Sequence, residues 1–66
     1  MLDNRYTRTA RTIAAKLETE NKTIVDVSTP VSDSLIFHTM MYLNHYFGRY
    51  SIMYLDDGTA IIRKQG

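Results

Sequence analysis

The chain has 66 residues, a formal net charge of +1 and no cysteine. A domain this short buries only about 60% of the surface of its unfolded chain. We therefore predict a single domain over residues 1–66 that gains stability from association with another chain. The lack of cysteine excludes disulfides, thiolate metal sites and cysteine nucleophiles. A net charge near zero gives no general indication of a nucleic-acid partner.

The N-terminal residues lack the apolar core of a secretory signal. No stretch approaches the roughly 20 apolar residues of a membrane span. A cysteine-free composition is compatible with a reducing compartment. We therefore expect a cytoplasmic protein with no membrane partner.

An amphipathic helix is predicted over about residues 4–20, with Asp3 or Asn4 as its N-cap. Apolar side chains recur in it at steps of three and four residues, so they share one face. They are Tyr6, Ala10, Ile13, Ala14 and Leu17.

The other side of this helix is basic, and it is the candidate nucleic-acid-binding site. Its cations are Arg5, Arg8, Arg11 and Lys16. Threonines lie beside the arginines, and both residue types are suited to contact a phosphate backbone. Cations in a first helical turn are disfavoured by the helix dipole, so local stability does not explain them. The alternatives are a solvated face that keeps the protein soluble and a face that docks on an acidic protein surface.

A second helix is predicted from Thr29 and Pro30, which are suited to be its N-cap and its first helical position. The alternative start has Ser32 as the cap. The helix is expected to reach about Phe47 and to stop at Gly48, because glycine commonly follows the last helical residues.

A β-hairpin is predicted at the C-terminal end, where residues 50–55 and 59–64 are rich in β-branched and aromatic side chains. The pair Asp57-Gly58 favours a two-residue turn between them. With that turn, one face of the hairpin holds Met53, Leu55, Ala60 and Ile62, and the other holds Tyr50, Ile52, Tyr54 and Ile61.

A β-branched run over residues 23–27 predicts one more strand, so the element order is helix, strand, helix, strand, strand. The predicted fold class is α+β, a small sheet with a C-terminal β-hairpin packed against two helices. The strand–helix–strand unit in the middle is compatible with a right-handed crossover to a parallel neighbour.

The second helix carries no Asp, Glu, Lys or Arg from Ser34 to Gly48. One face is a core stripe of Ile36, Met40, Leu43 and Phe47, with Leu35 and Tyr46 at its edge. The reverse face, the candidate partner-binding site, holds Phe37, His38, Met41, Tyr42 and His45. Either the helix is buried on both sides, or this reverse face meets another chain, since aromatic residues and methionine are enriched at interfaces.

No catalytic, metal or cofactor site is predicted. His38 and His45 are seven residues apart, which is about 10 Å along a helix and too far to share one metal ion. Asp56 and Asp57 belong to the predicted turn, and no glycine-rich phosphate loop or nucleophile motif occurs. We therefore expect that the protein is not an enzyme.

The favoured hypothesis is a small non-enzymatic protein–protein interaction module that uses the uncharged reverse face of its second helix. Its partner is a second copy in a homodimer, a heterologous host protein, or both. Its size is that of the modulators and inhibitors of larger host machines that phages and mobile elements encode. The alternatives are a small nucleic-acid-binding protein that uses the basic helix, and a self-assembling structural component.

Overall fold

The computed structural model describes residues 4–65, so the predicted cap Asp3 lies outside the described residues. Two helices and three strands follow one another in the predicted order, which confirms the α+β class. The elements are α1 (Asn4–Lys16), β1 (Thr23–Asp26), α2 (Pro30–Tyr46), β2 (Tyr50–Tyr54) and β3 (Thr59–Lys64).

α1 ends about one turn earlier than predicted, at Lys16. After it, the N–H of Glu18 donates to the carbonyl of Ala15 at 3.3 Å. This bond between residues three apart is tighter than α-helical geometry, so the helix does not continue. Leu17 still donates to the carbonyl of Ile13 and is buried, so the apolar side of α1 extends past its end.

α2 begins where the sequence predicts. The Thr29 side chain accepts a hydrogen bond from the N–H of Ser32 at 3.0 Å, and the Ser32 hydroxyl accepts one from the N–H of Thr29 at 3.1 Å. This reciprocal pair is a capping box, so Thr29 and not Ser32 is the N-cap. At the other end Phe47 is the C-cap, and Gly48 follows it with a φ of +124° that few other residues adopt.

Thr29→Ala is expected to lower the free energy of unfolding by about 1 kcal/mol, because it removes the hydroxyl that accepts from the N–H of Ser32. Urea denaturation followed by circular dichroism measures this change. Thr29→Ser keeps the hydroxyl and is the matched control. Equal stability of Thr29→Ala and the parent protein would contradict the assignment of the cap.

The three strands form one antiparallel sheet in the order β1-β3-β2. The short connection makes β2 and β3 neighbours, and β1 pairs with the other edge of β3. β1 and β2 therefore run parallel on opposite sides of β3. The crossover to a parallel neighbour does not occur, because β3 occupies the position between the two strands.

The hairpin register differs by one residue from the predicted register. The N–H of Leu55 donates to the carbonyl of Thr59 at 2.8 Å, so the loop has three residues, 56–58. Gly58 has a φ of +85°, the left-handed conformation that closes three-residue hairpin loops. The Asp57 carboxylate accepts from the hydroxyl and the N–H of Thr59, and these bonds hold the pKa of Asp57 below its ordinary value.

This shift exchanges the faces of β2, because side chains alternate along a strand. Ile52 pairs with the fully buried Ile62, and the buried Tyr50 lies on the same face. The predicted grouping of Met53 and Leu55 with Ile62 is therefore wrong, and both side chains are exposed.

α2 packs on one face of the sheet and α1 packs against α2, and side chains of both helices share one core with the sheet. The core residues are Ala10, Ile13, Ala14, Leu17, Ile36, Met40, Leu43, Tyr50 and Ile62. The buried Thr39 satisfies its hydroxyl by donating to the carbonyl of Leu35 at 2.6 Å. The opposite face of the sheet carries neither of the described helices.

Tyr54 connects the hairpin to the first turn of α2. Partial burial raises the pKa of Tyr54 above its ordinary value, and the negative charge of Asp33 raises it further. Asp33 therefore lies near β2, and α2 has no other acidic residue.

Candidate interaction surface

The two sides of α2 lie in different environments. The buried side consists of Ile36, Thr39, Met40 and Leu43. On the reverse side, Phe37 is 56% exposed and Met41 is 58% exposed, and both histidines are exposed as well. Tyr42 is half-buried against the core. The interpretation of α2 as a helix buried on both sides is therefore wrong, because its reverse side faces solvent.

Four of the five predicted partner-binding residues line one groove of about 380 Å³ between α1 and α2. The residues around this aromatic groove are Tyr6, Thr7, His38, Met41, Tyr42, His45 and Tyr46. The fifth predicted residue, Phe37, lies beside the groove, with its ring centroid 5.4 Å from that of His38. The structure thus brings most of the predicted set together.

Ring contacts hold the walls of the aromatic groove in place. Tyr6 of α1 stacks on His38 of α2, with centroids 4.9 Å apart and ring planes 12° apart. The rings of Tyr42 and Tyr46 are 4.6 Å apart, and His45 meets Tyr46 edge-on at 4.5 Å. These paired rings make the groove a preformed feature of the folded chain.

A hydrogen bond within α2 orients the His38 ring. Its Nδ1 atom is 2.8 Å from the carbonyl oxygen of Ser34. A carbonyl oxygen only accepts, so Nδ1 carries the proton and Nε2 is the acceptor of the neutral ring. The bond holds the ring in its stack with Tyr6.

Sequence reasoning misses three of the groove residues, Tyr6, Thr7 and Tyr46. Periodicity assigns Tyr6 to the core face of α1 and Tyr46 to the edge of the core stripe, yet Tyr6 is half-buried and Tyr46 is 62% exposed. A signal existed for Tyr46, because it follows Tyr42 by four residues and so lies near it on the helix. No spacing in the sequence relates α1 to α2, so no sequence pattern indicated that Tyr6 and Thr7 of α1 line the groove.

The four predicted cations of α1 do not form one site. Arg8 and Arg11 lie together around one shallow depression. Arg5 lines a different hollow, beside the start of α2. Lys16 lies at the far end of α1, close to the start of β1. Of the four predicted cations, the structure therefore brings together only Arg8 and Arg11.

The arginine depression has a volume of about 300 Å³ and is lined by Thr7, Arg8, Arg11 and Thr12. The Thr12 hydroxyl donates to the carbonyl of Arg8 at 3.0 Å. Both arginine side chains are exposed, and neither forms an ion pair with a residue that the structure describes. Their charge is therefore not neutralised within residues 4–65.

The arginine depression and the aromatic groove adjoin, because Thr7 lines both. Among the residues that the structure describes, no Asp or Glu lines either of them. α1 carries no acidic residue between Asn4 and Lys16, and α2 carries none after Asp33. One continuous surface therefore joins apolar walls to a positively charged flank.

A second apolar surface lies on the face of the sheet away from the helices. Ile61 of β3 pairs with Ile24 of β1 on one side and with Met53 of β2 on the other. Ile24 is 59% exposed, and Met53 is exposed as well. The predicted register does not place these three residues on one face, because it pairs Met53 with Ile62 and not with Ile61.

The carboxylates of Asp26 and Asp57 accept hydrogen bonds within turns. They accept hydrogen bonds from the hydroxyls of Ser28 and Thr59, and these bonds lower the pKa of each carboxyl group.

Among residues 4–65, no three His, Cys, Asp or Glu side chains are arranged to hold a metal ion. Neither of the two described helices has the length and hydrophobicity that crossing a bilayer requires.

Comparison of the chain with protein-family models, with curated proteins and with solved structures finds no match. The functional proposals therefore rest on the geometry and chemistry of this chain alone.

Proposed function

We propose that the chain is a small, non-enzymatic protein-interaction module that binds another polypeptide through the aromatic groove and the adjoining side of α2. The observation that carries this proposal is the exposure of Phe37, Met41 and Tyr46 on a helix with no charged residue after Asp33. A surface helix normally presents charges on its solvent side. Aromatic and methionine side chains are instead typical of the centre of an interface.

The shape of the aromatic groove supports the proposal. Its walls are rings that already contact one another, such as Tyr6 with His38 and Tyr42 with Tyr46. A preformed groove lowers the entropy that binding loses by ordering side chains. Apolar grooves are also a recurrent form of site for amphipathic helices of other proteins.

The proposed partner is a heterologous host protein or a second copy of the chain. A chain of 66 residues with an exposed aromatic groove suits a modulator that occupies a surface of a larger assembly. We place it among the small inhibitors and modulators that phages and mobile elements encode, which act in the cytoplasm.

Nucleic-acid binding is the second candidate function, and the arginine depression is the observation that favours it. Arg8 and Arg11 are exposed beside the hydroxyl-bearing Thr7 and Thr12, a combination that suits phosphate oxygens. This function requires an affinity for oligonucleotides that falls steeply with salt, with a slope reduced by about one unit for each arginine removed.

Met41→Asp is expected to leave the fold intact and to weaken partner binding about tenfold or more, because it places a charge in an apolar contact. The partner is first identified by affinity capture with the wild-type chain from a lysate of the cells that carry its gene. The captured protein is then purified. Calorimetric titration of that purified protein with the wild-type and variant chains measures the loss of affinity.

Ile24→Asp is the matched control, since Ile24 is 59% exposed and Met41 is 58% exposed, but Ile24 lies on the outer face of the sheet. Circular dichroism and the urea midpoint establish that each variant is folded. Wild-type affinity in Met41→Asp contradicts the proposal. Unfolding of Met41→Asp also contradicts it, because that result would place Met41 in the core. A loss confined to Ile24→Asp would move the interface to the sheet.

A further inference from the structure

We infer that the partner is an acidic amphipathic helix of a different protein, which lies in the aromatic groove with its carboxylates on Arg8 and Arg11. This inference rests on the proposed function and names the chemistry of the partner. The observation behind it is that the groove and the arginine depression adjoin at Thr7, so an occupant of the groove that extends past Thr7 enters the depression that Arg8 and Arg11 line.

The aromatic groove has the length of a helix-binding site. From His38 to Tyr46 the axis of α2 rises by about 12 Å. A partner helix presents the side chains i, i+4 and i+7 over about the same distance, and this row anchors helices in apolar grooves. The groove volume of about 380 Å³ accommodates such anchoring side chains and not a whole helix.

The positive charges of Arg8 and Arg11 favour a partner helix that has acidic residues along one side. Arg8 and Arg11 are exposed and have no ion-pair partner among the residues that the structure describes. Thr7 and Thr12, which line the same depression, are uncharged. Carboxylates are suited to guanidinium groups because they accept two parallel hydrogen bonds from each. A basic partner helix would meet like charge at the same place.

A second copy of the chain is a poor match for this surface. A two-fold interface uses the same patch on both subunits. Two apposed grooves would bring Arg8 and Arg11 of both copies to one interface, and no acidic residue within 4–65 lines the groove or the depression to pair with them. Like charges facing one another oppose association.

A single-stranded nucleic acid is also a poor match. Proteins that bind single strands present separate aromatic rings on which bases stack. The rings of Tyr6, His38, Tyr42 and Tyr46 stack on or tilt against one another instead. Two arginines form a short positive track, and the net charge of +1 provides little long-range attraction to phosphates.

A display library of helical peptides tests the inference. Surface positions of a stable helical scaffold are randomised and selected in parallel against the wild-type chain, Met41→Asp and the double variant Arg8→Gln/Arg11→Gln. The wild-type chain is expected to enrich sequences with large apolar residues at i, i+4 and i+7 and Asp or Glu on one flank. These peptides should bind about tenfold more weakly to each variant, and their affinity for the wild-type chain should fall as the salt concentration rises.

The outcomes that overturn the inference are distinct from those that overturn the proposed function. If binding of the selected peptides depends on Met41 but not on Arg8 and Arg11, the inference of an acidic partner helix is wrong. The proposed function as an interaction module is then unaffected. If no selected sequence depends on Met41, the proposed function fails together with the inference. Ile24→Asp should retain every peptide that binds to the groove.

Two further measurements assign the surface to another occupant if the inference is wrong. Light scattering that finds a dimer, which Met41→Asp dissociates, would assign the aromatic groove to a second copy. An oligothymidylate that displaces the selected peptides, and whose binding is lost in Arg8→Gln/Arg11→Gln, would assign it to a single-stranded nucleic acid. A monomer with no affinity for the oligothymidylate is the expected result.

Discussion

Replacing Leu43 with alanine is expected to lower the free energy of unfolding by about 3 kcal/mol, because Leu43 is fully buried in the core that both helices share with the sheet. A domain of 66 residues has a free energy of unfolding of roughly 3–10 kcal/mol. This one substitution therefore removes a large part of the stability. Urea denaturation followed by circular dichroism measures the change.

Met41→Ala is the matched control on the opposite side of the same helix. Met41 is 58% exposed, and alanine has a high helix propensity, so the free energy of unfolding should change by no more than about 0.5 kcal/mol. Equal losses in Leu43→Ala and Met41→Ala would show that the two sides of α2 are wrongly assigned. The interaction surface would then be wrong as well.

Gly58→Ala is expected to lower the free energy of unfolding by about 2 kcal/mol, for two reasons. The φ of Gly58 is +85°, a left-handed conformation that a side chain disfavours. A Cβ atom at this position would also lie 2.9 Å from the Cβ atom of Ser28, closer than carbon atoms pack. The urea midpoint of the variant measures the combined effect.

The Ser28→Gly background separates these two causes. It removes the Cβ atom that the new methyl group meets, so Gly58→Ala should then cost about 1 kcal/mol from the backbone alone. Ser28→Gly by itself provides the baseline, because the Ser28 hydroxyl also donates to Asp26 at 2.6 Å. If Gly58→Ala is as stable as the parent protein, the three-residue loop is wrongly assigned.

Local signals were sufficient for the elements of the fold, because each signal acts on its immediate neighbours. Thr29 and Pro30 predict the start of α2, and the capping box forms there. Gly48 predicts its end, and the pair Asp57-Gly58 predicts the position of the hairpin. Together with the apolar periodicity of the first helix and the β-branched run over residues 23–27, these signals are sufficient for the order of helices and strands.

The hairpin register did not follow from them, because an aspartate–glycine pair suits both a two-residue and a three-residue loop. Contacts with the two residues that follow β1 favour the observed choice. The N–H of Val27 donates to the carbonyl of Gly58 at 2.9 Å, and Ser28 lies against the same glycine. These contacts join residues that are far apart in the chain, so no local pattern encodes them.

The candidate site divides in the same way. The sequence by itself determined the uncharged side of α2 and the basic side of α1, since both depend on spacing along one helix. Only the tertiary structure decided that Met41 faces solvent, and that Arg8 and Arg11 adjoin the aromatic groove at Thr7. The physical reason is that the packing of α1 against α2 brings together residues that no periodicity relates.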